Sequence, residues 1–313
     1  MMDAGIARDH GAVGTILKRT IRTSDGRRLA TAVYGDPDGR PVFLLHGTPG
    51  SRIGPKPRSA ILHRLGIRLI CFDRPGYGES DRLPGRRVAD AAADVSAIAD
   101  ALGLAKFAVV GRSGGGPHAL ACAALLPERV TKAAVLVSVA PREAEGLDWL
   151  HGMTEWNLTE YEAMAQGYER IAAVTNATAD AVRADPASLL AMLHSELPDS
   201  DRRVVADPGI RSLLLATYAE GLRISAHGWI DDDVAFHVPW GFDLAKMTTP
   251  VLLWHGAGDT ISPVSHVKWL AEHIPNAVAV VQAGAAHFAS LNVLPDILRW
   301  VTSDQHSADG SGQ

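Results

Sequence analysis

The sequence predicts an α/β protein in which a mostly parallel sheet carries helices on both faces. Three observations lead there. Short continuous apolar runs such as Val42-Phe43-Leu44-Leu45 recur along the chain, as strands buried on both faces require. They alternate with helical patterns, as parallel pairing demands: Val88, Ala91, Ala92, Val95, Ile98, Ala99 and Leu102 keep three-to-four spacing until Gly103. One strand–helix junction, Val109-Val110-Gly111-Arg112-Ser113-Gly114-Gly115-Gly116-Pro117, is compressed into very few residues.

In chain order, residues 15–23 and 27–34 read as a hairpin around Ser24-Asp25-Gly26. The run 42–45 is a buried strand, a helix is expected over 57–65, and 67–72 is the next strand. After the helix 88–102 come strand 107–110, the compressed junction, a helix over 118–126 and strand 130–139. Strands at 251–254 and 278–281 are separated by a helix over 263–273, and a last helix covers 289–301, giving eight strands in all. Residues 141–247 break this rhythm: they are helix-like over 159–173, 177–194 and 210–226 and hold no strand run. The expected organisation is an N-terminal extension (1–14), a core from 15–140 and 248–301, a helical insertion (141–247) and a disordered tail (302–313).

The 313 residues suffice for a full core, and 47% apolar with 21% charged residues is ordinary for a globular chain. Thirty basic against 35 acidic residues give a net charge of −5, and no Lys/Arg-rich run appears, which argues against a nucleic-acid partner. Cys71 and Cys122 sit in apolar patterns, as buried small hydrophobes in a reducing compartment would. Residues 1–14 lack the apolar segment of a secretion signal, and the uncharged run 113–127 is too short and interrupted to span a bilayer. A soluble, cytoplasmic protein without membrane contact is expected.

Chemistry centres on Gly-x-Ser-x-Gly, with Gly111 and Gly115 flanking Ser113. A turn this sharp strains its central residue and leaves no room for flanking side chains, and it lifts the serine hydroxyl above the sheet. A hydroxyl is a poor nucleophile without a base, and the base needs an orienting group. In an open parallel sheet both belong in loops at the carboxyl ends of strands. Asp259 follows strand 251–254 and His287 follows strand 278–281, in the order serine, acid, histidine. Taken alone, Asp259 reads better as a cap of the following helix and His287 reads equally as a structural loop residue; the ordered set of three favours chemistry. The developing oxyanion needs donors, and the backbone N–H groups of Thr48, in His46-Gly47-Thr48-Pro49-Gly50, and of Gly114 are suited to it. No Gly-Lys-Ser/Thr follows that loop, so it does not read as a phosphate cradle.

These residues, with Asp73-Arg74-Pro75-Gly76-Tyr77-Gly78-Glu79-Ser80, give the sequence a clear resemblance to serine hydrolases of the α/β-hydrolase fold over residues 15–301. The resemblance implies an eight-stranded, mostly parallel sheet and a helical cap, which fits the insertion. It also implies an acyl-enzyme on Ser113, with His287 as base and Asp259 orienting it. A serine nucleophile speaks against the aspartate-dependent dehalogenases and epoxide hydrolases of the fold. The expected substrate is a small molecule, a carboxylic ester or lactone with an apolar portion, and no cofactor is expected. Two alternatives remain open. One is a peptidase or amidase of the proline-iminopeptidase type, whose His-Gly-x-Pro-Gly loop is similar although Thr48 and the Arg112-Ser113-Gly114 elbow depart from it. The other is a non-hydrolytic member: a lyase, a cofactor-independent oxidative enzyme or a small-molecule receptor.

Arg112, beside the nucleophile, either projects toward the pocket or anchors a loop. Met153, Trp156 and Trp240 flank or line the insertion; core packing is the better reading of each alone, but together, with Arg112, they are the expected pocket residues. Asp231-Asp232-Asp233 reads as a solvated turn, Asp243 as a backup acid and His46 as structural. The 13 histidines show no metal-ligand spacing, so no metal site is expected.

Overall fold

The computed structural model describes residues 17–303. The expected N-terminal extension, and all but two residues of the expected tail, lie outside that range. Strands β1 (Leu17–Arg22) and β2 (Arg28–Gly35) form an antiparallel hairpin, closed by a hydrogen bond of 2.9 Å from Thr23 N–H to the Arg27 carbonyl. The others are β3 (Arg40–Leu45), β4 (Ile67–Phe72), β5 (Phe107–Arg112), β6 (Val130–Leu136), β7 (Val251–Gly256) and β8 (Ala277–Gln282). They make one open sheet of order β1-β2-β4-β3-β5-β6-β7-β8, in which β2 meets β4 antiparallel and every later pairing is parallel.

The alternation of side chains along a strand sorts the core into two layers. Phe107 and Val109 of β5 join a cluster with Val95 and Ile98 of α2 (Ala91–Ala101) and Ala119 and Leu120 of α3 (Gly115–Leu125). Ala108 and Val110 join one with Leu62 of α1 (Ser59–Arg64) and Leu294 and Leu298 of α11 (Ser290–Thr302). Helix α10 (Val264–His273) adds Val267 and Leu270 to the first layer. The apolar run 278–281 does form a strand, yet Val278 is 61% exposed: among the described residues β8 is the outer strand, paired with β7 alone.

Between β6 and β7 lie six α-helices: α4 (Glu155–Ala165), α5 (Tyr168–Ala184), α6 (Ser188–Leu193), α7 (Asp199–Ala206), α8 (Pro208–Gly221) and α9 (His227–His237). Three helices were expected here. Gly167, at φ +108°, divides the first, and Pro186, Pro198 and Pro208 mark further starts, because proline lacks the N–H a helix interior uses and is favoured at a helix's opening. Helix α9 overturns the reading of Asp231-Asp232-Asp233 as a solvated turn, since the three side chains are buried within it. Leu190, Leu193, Leu214, Leu222 and Trp229 form a separate core, joined by Tyr77 and Phe288 from the sheet side.

Candidate active site

Ser113 directly follows β5 and sits at φ +54°, a conformation non-glycine residues rarely adopt and one that costs about 1–3 kcal/mol. The flanking glycines allow it: a Cβ on Gly111 would lie 2.3 Å from the Gly115 carbonyl oxygen, and one on Gly115 would lie 2.2 Å from that of Leu45. Helix α3 starts immediately afterwards, and Ser113 N–H is fixed to the Leu136 carbonyl at 2.8 Å.

The loops after β7 and β8 bring Asp259 and His287 to this serine. His287 Nε2 lies 3.1 Å from Ser113 Oγ, and Nδ1 lies 2.9 Å from Asp259 Oδ2. Burial alone would raise the Asp259 carboxyl. The pairing with His287 and its hydrogen bond, with His255 nearby and the Ser262 N–H, outweigh burial and hold it below its ordinary value. An ionised Asp259 makes Nδ1 the protonated nitrogen, so Nε2 offers its lone pair to the serine hydroxyl. The other Asp259 oxygen accepts Ile261 and Ser262 N–H, each at 2.9 Å, so Asp259 also braces its own loop.

Thr48, after β3, faces Gly114: a Cβ on Gly114 would lie 3.2 Å from Thr48 N and 2.2 Å from its Oγ1. Neither backbone N–H donates to another group among the described residues. Thr48 Oγ1 donates to Asp232 Oδ2 at 2.5 Å. Asp232 also pairs with Arg74 and with Arg86 (2.7 Å) and accepts the Tyr77 hydroxyl at 2.7 Å. Burial would raise the Asp232 carboxyl, but the two arginines drive it well below the usual range. Position 48 is thus tied to a carboxylate 184 residues away. His46 is buried and braced, its Nε2 accepting Arg74 N–H at 3.1 Å, in line with the structural reading.

The cavity at Ser113 is small, about 50 Å³. Arg112 and Trp156 line it as expected, with Leu189, Leu193, Leu214, Tyr218, Ile261 and Phe288 supplying most of the wall. Met153 and Trp240 do not. Met153 packs with Val139 and Trp149 in a satellite cluster, and Trp240 lies in the first sheet layer, so both are spent on core packing. Asp243 caps a short turn through Ala245 N–H and lies outside the cavity lining. A larger cavity of about 580 Å³, beside Arg40, Lys106, Glu128 and Lys132, contains none of Ser113, Asp259 and His287.

Arg112 resolves both ways: it lines the cavity and anchors a loop. Its Nε donates to Ser290 Oγ at 2.8 Å, and Ser290 Oγ donates to the His287 carbonyl at 2.6 Å. Asp201, from α7, accepts His287 N–H at 3.0 Å and Phe288 N–H at 2.8 Å. Sequence reasoning missed Asp201, Asp232, Ser290 and Tyr218. The acids had no local signal, since their partners are 86 and 184 residues distant. Among the described residues no group of three or more His, Cys, Asp or Glu side chains is arranged to hold a metal, and no helix is long and apolar enough to cross a membrane.

A serine raised on a strand–helix elbow, met by an acid and a histidine from later loops of a mostly parallel open sheet, defines a class of α/β proteins. The chain belongs to the alpha/beta hydrolase fold family, which it matches over residues 40–292. It is 28% identical to a non-heme chloroperoxidase from Streptomyces lividans, over 89% of this chain and 96% of that one. It is 31% identical to a pimeloyl-[acyl-carrier protein] methyl ester esterase from Chromobacterium violaceum, over 83% of this chain and 92% of that one. Among solved structures, an esterase from Exiguobacterium antarcticum superposes with a TM-score of 0.65 at 22% identity, covering 92% of this chain and all of that one.

Proposed function

We propose that the protein is a serine hydrolase that cleaves a carboxylic ester or lactone with an apolar portion. The observation that carries this reading is the continuous relay Ser113–His287–Asp259, with steps of 3.1 and 2.9 Å, opening on a mostly apolar cavity. Ser113 Oγ attacks the substrate carbonyl carbon while His287 Nε2 takes its proton. The carbonyl electron pair moves onto oxygen, which the Thr48 and Gly114 N–H groups hold as an oxyanion. The tetrahedral intermediate collapses, the His287 proton passes to the leaving alkoxide, and an acyl-Ser113 remains. Water, deprotonated by His287, attacks that acyl carbon, and Ser113 leaves with the proton returned. Helices α4–α9 act as a cap over the site. The relative named as a methyl ester esterase supports an ester as the bond cleaved.

The test joins labelling with turnover. A fluorophosphonate probe labels wild type and not Ser113→Ala, and a p-nitrophenyl ester panel of varied acyl length shows turnover that Ser113→Ala lowers by about 10⁴–10⁶ in kcat. Unchanged turnover in Ser113→Ala would remove the mechanism.

A further inference from the structure

Among the described residues, Arg112 is a buried cation without an ion-pair partner, with Asp201 and Asp259 acting on it only from a distance. Its side chain is buried, with the residue 8% exposed, and no carboxylate lies within ion-pair distance among the described residues. Of its five N–H donors, Nε serves Ser290, while Nη2 is buried without a partner. The acids nearby are already engaged. Both Asp201 oxygens accept the His287 and Phe288 N–H groups, and both Asp259 oxygens are taken by His287, Ile261 and Ser262. The Phe288 ring, 5.4 Å from the guanidinium carbon, offsets part of the burial but offers no acceptor. Nη1 passes 3.8 Å from where a Cβ would stand on Gly47, which places the guanidinium beside the Thr48 loop. Tyr218, in the same cavity lining and near enough to Arg112 to interact with it electrostatically, adds a hydroxyl. Loop anchoring needs Nε alone; it does not account for a buried cation with donors left over. Leaving such a group unpaired is costly unless an anion arrives with the substrate.

We propose that Arg112 is a specificity-determining residue that holds a carboxylate of the substrate beside the scissile carbonyl, with Tyr218 as a second donor. The substrate is then an ester or lactone that itself carries a carboxylate. This rests on the ester-hydrolase reading. The carboxylate belongs to either the acyl or the alcohol half, and matched substrates separate the two.

The experiment compares kcat/KM for three sets: monomethyl esters of C4–C6 dicarboxylic acids, acetyl esters of 2- and 3-hydroxy acids, and neutral amide isosteres of both. Wild type favours one anionic set over its isosteres by about 10–100-fold, the range of a charge-assisted hydrogen bond. In Arg112→Met that ratio falls to near one through KM for the anionic esters, whatever the variant's absolute rate. Arg112→Lys restores part of it. A purely loop-anchoring arginine would lower kcat for every ester alike and leave the ratio unchanged, overturning the proposal. Wild type without preference for either anionic set overturns it too, while ester turnover leaves the hydrolase reading standing. If no ester is turned over, thermal shift of Ser113→Ala with succinate, glutarate or adipate decides. Stabilisation that disappears in Ser113→Ala/Arg112→Met supports the carboxylate site; its absence in Ser113→Ala rejects it. Circular dichroism of both Arg112 variants confirms that they are folded.

Discussion

The sheet and the seam between sheet and inserted helices are held by different physics. Inside the sheet, cohesion is apolar: Phe43, Val109, Val135 and Leu253 are buried in one continuous layer with α2 and α3. Across the seam, apolar contacts of Tyr77, Phe288 and Phe236 are joined by a dense set of ionic ones. Asp232 of α9 receives Arg74, Arg86, Tyr77 and Thr48, and Asp231 receives Arg82 through two bonds of 2.8 Å. Arg52 pairs with Asp73 and, at 2.9 Å, with Glu220 of α8, and Asp201 of α7 holds the histidine loop. An apolar layer tolerates small shifts of its members. A buried charged joint with directional partners does not, so it fixes where the inserted helices sit relative to Ser113. The same joint runs from Asp232 through Thr48 to the proposed oxyanion donors.

The largest expected effect breaks the seam. Asp232→Ala leaves Arg74 and Arg86 buried without a counter-charge, at a cost of about 3–5 kcal/mol in urea unfolding. It also frees Thr48, so ester kcat in the folded fraction drops by about 10–100-fold. A variant within about 1 kcal/mol of wild type would show that the seam is not the joint described. A sheet substitution of comparable thermodynamic cost sharpens the contrast. Leu253→Ala, at a fully buried position, costs about 2–5 kcal/mol through transfer and cavity terms. Its folded fraction keeps kcat within about threefold, because no directional bond to the site is lost. Parallel losses of kcat in the two variants would refute the distinction.

The same contrast explains what could be read from the sequence. The strands were legible because period-two and continuous apolar runs are local signals, and so was the elbow, where Gly111 and Gly115 are neighbours of Ser113. Asp259 and His287 were legible because each follows a strand within a few residues. Asp231-Asp232-Asp233 was not: three adjacent acids look solvated until Arg74, Arg82 and Arg86 are brought from about 150 residues away. Trp156 and Arg112 reach the cavity, while Met153 packs with Val139 and Trp149 and Trp240 joins the first sheet layer, a difference set by which tertiary cluster each segment meets. Aromatic composition carries no such information. Arg112 was open between pocket and loop because a guanidinium has donors for both.

The smallest effect concerns protons taken up on unfolding. His266, on α10, is wholly enclosed; its Nδ1 accepts Ala140 N–H at 3.1 Å and its Nε2 donates to the Trp149 carbonyl at 3.0 Å. Both ring nitrogens are therefore used in the neutral form, and burial pushes its pKa down to about 4, against a lesser upward pull from the Trp149 carbonyl. Above pH 6.5 neither the folded nor the unfolded chain protonates it. As pH falls from 6.5 toward 4 the unfolded chain binds a proton that the folded one refuses, so stability is lost across that window and no further below it. His118, at the seam beside Asp232, is displaced the same way, to about 3, so wild type sums at least two such losses. His266→Gln keeps an acceptor and a donor and removes one of them. Its unfolding free energy therefore falls less than that of wild type between pH 7 and pH 5, by about 1–2 kcal/mol from urea unfolding at the two pH values. Equal slopes would mean that His266 protonates in the folded protein, and that the joint it makes between α10 and the loop after β6 yields to a charge.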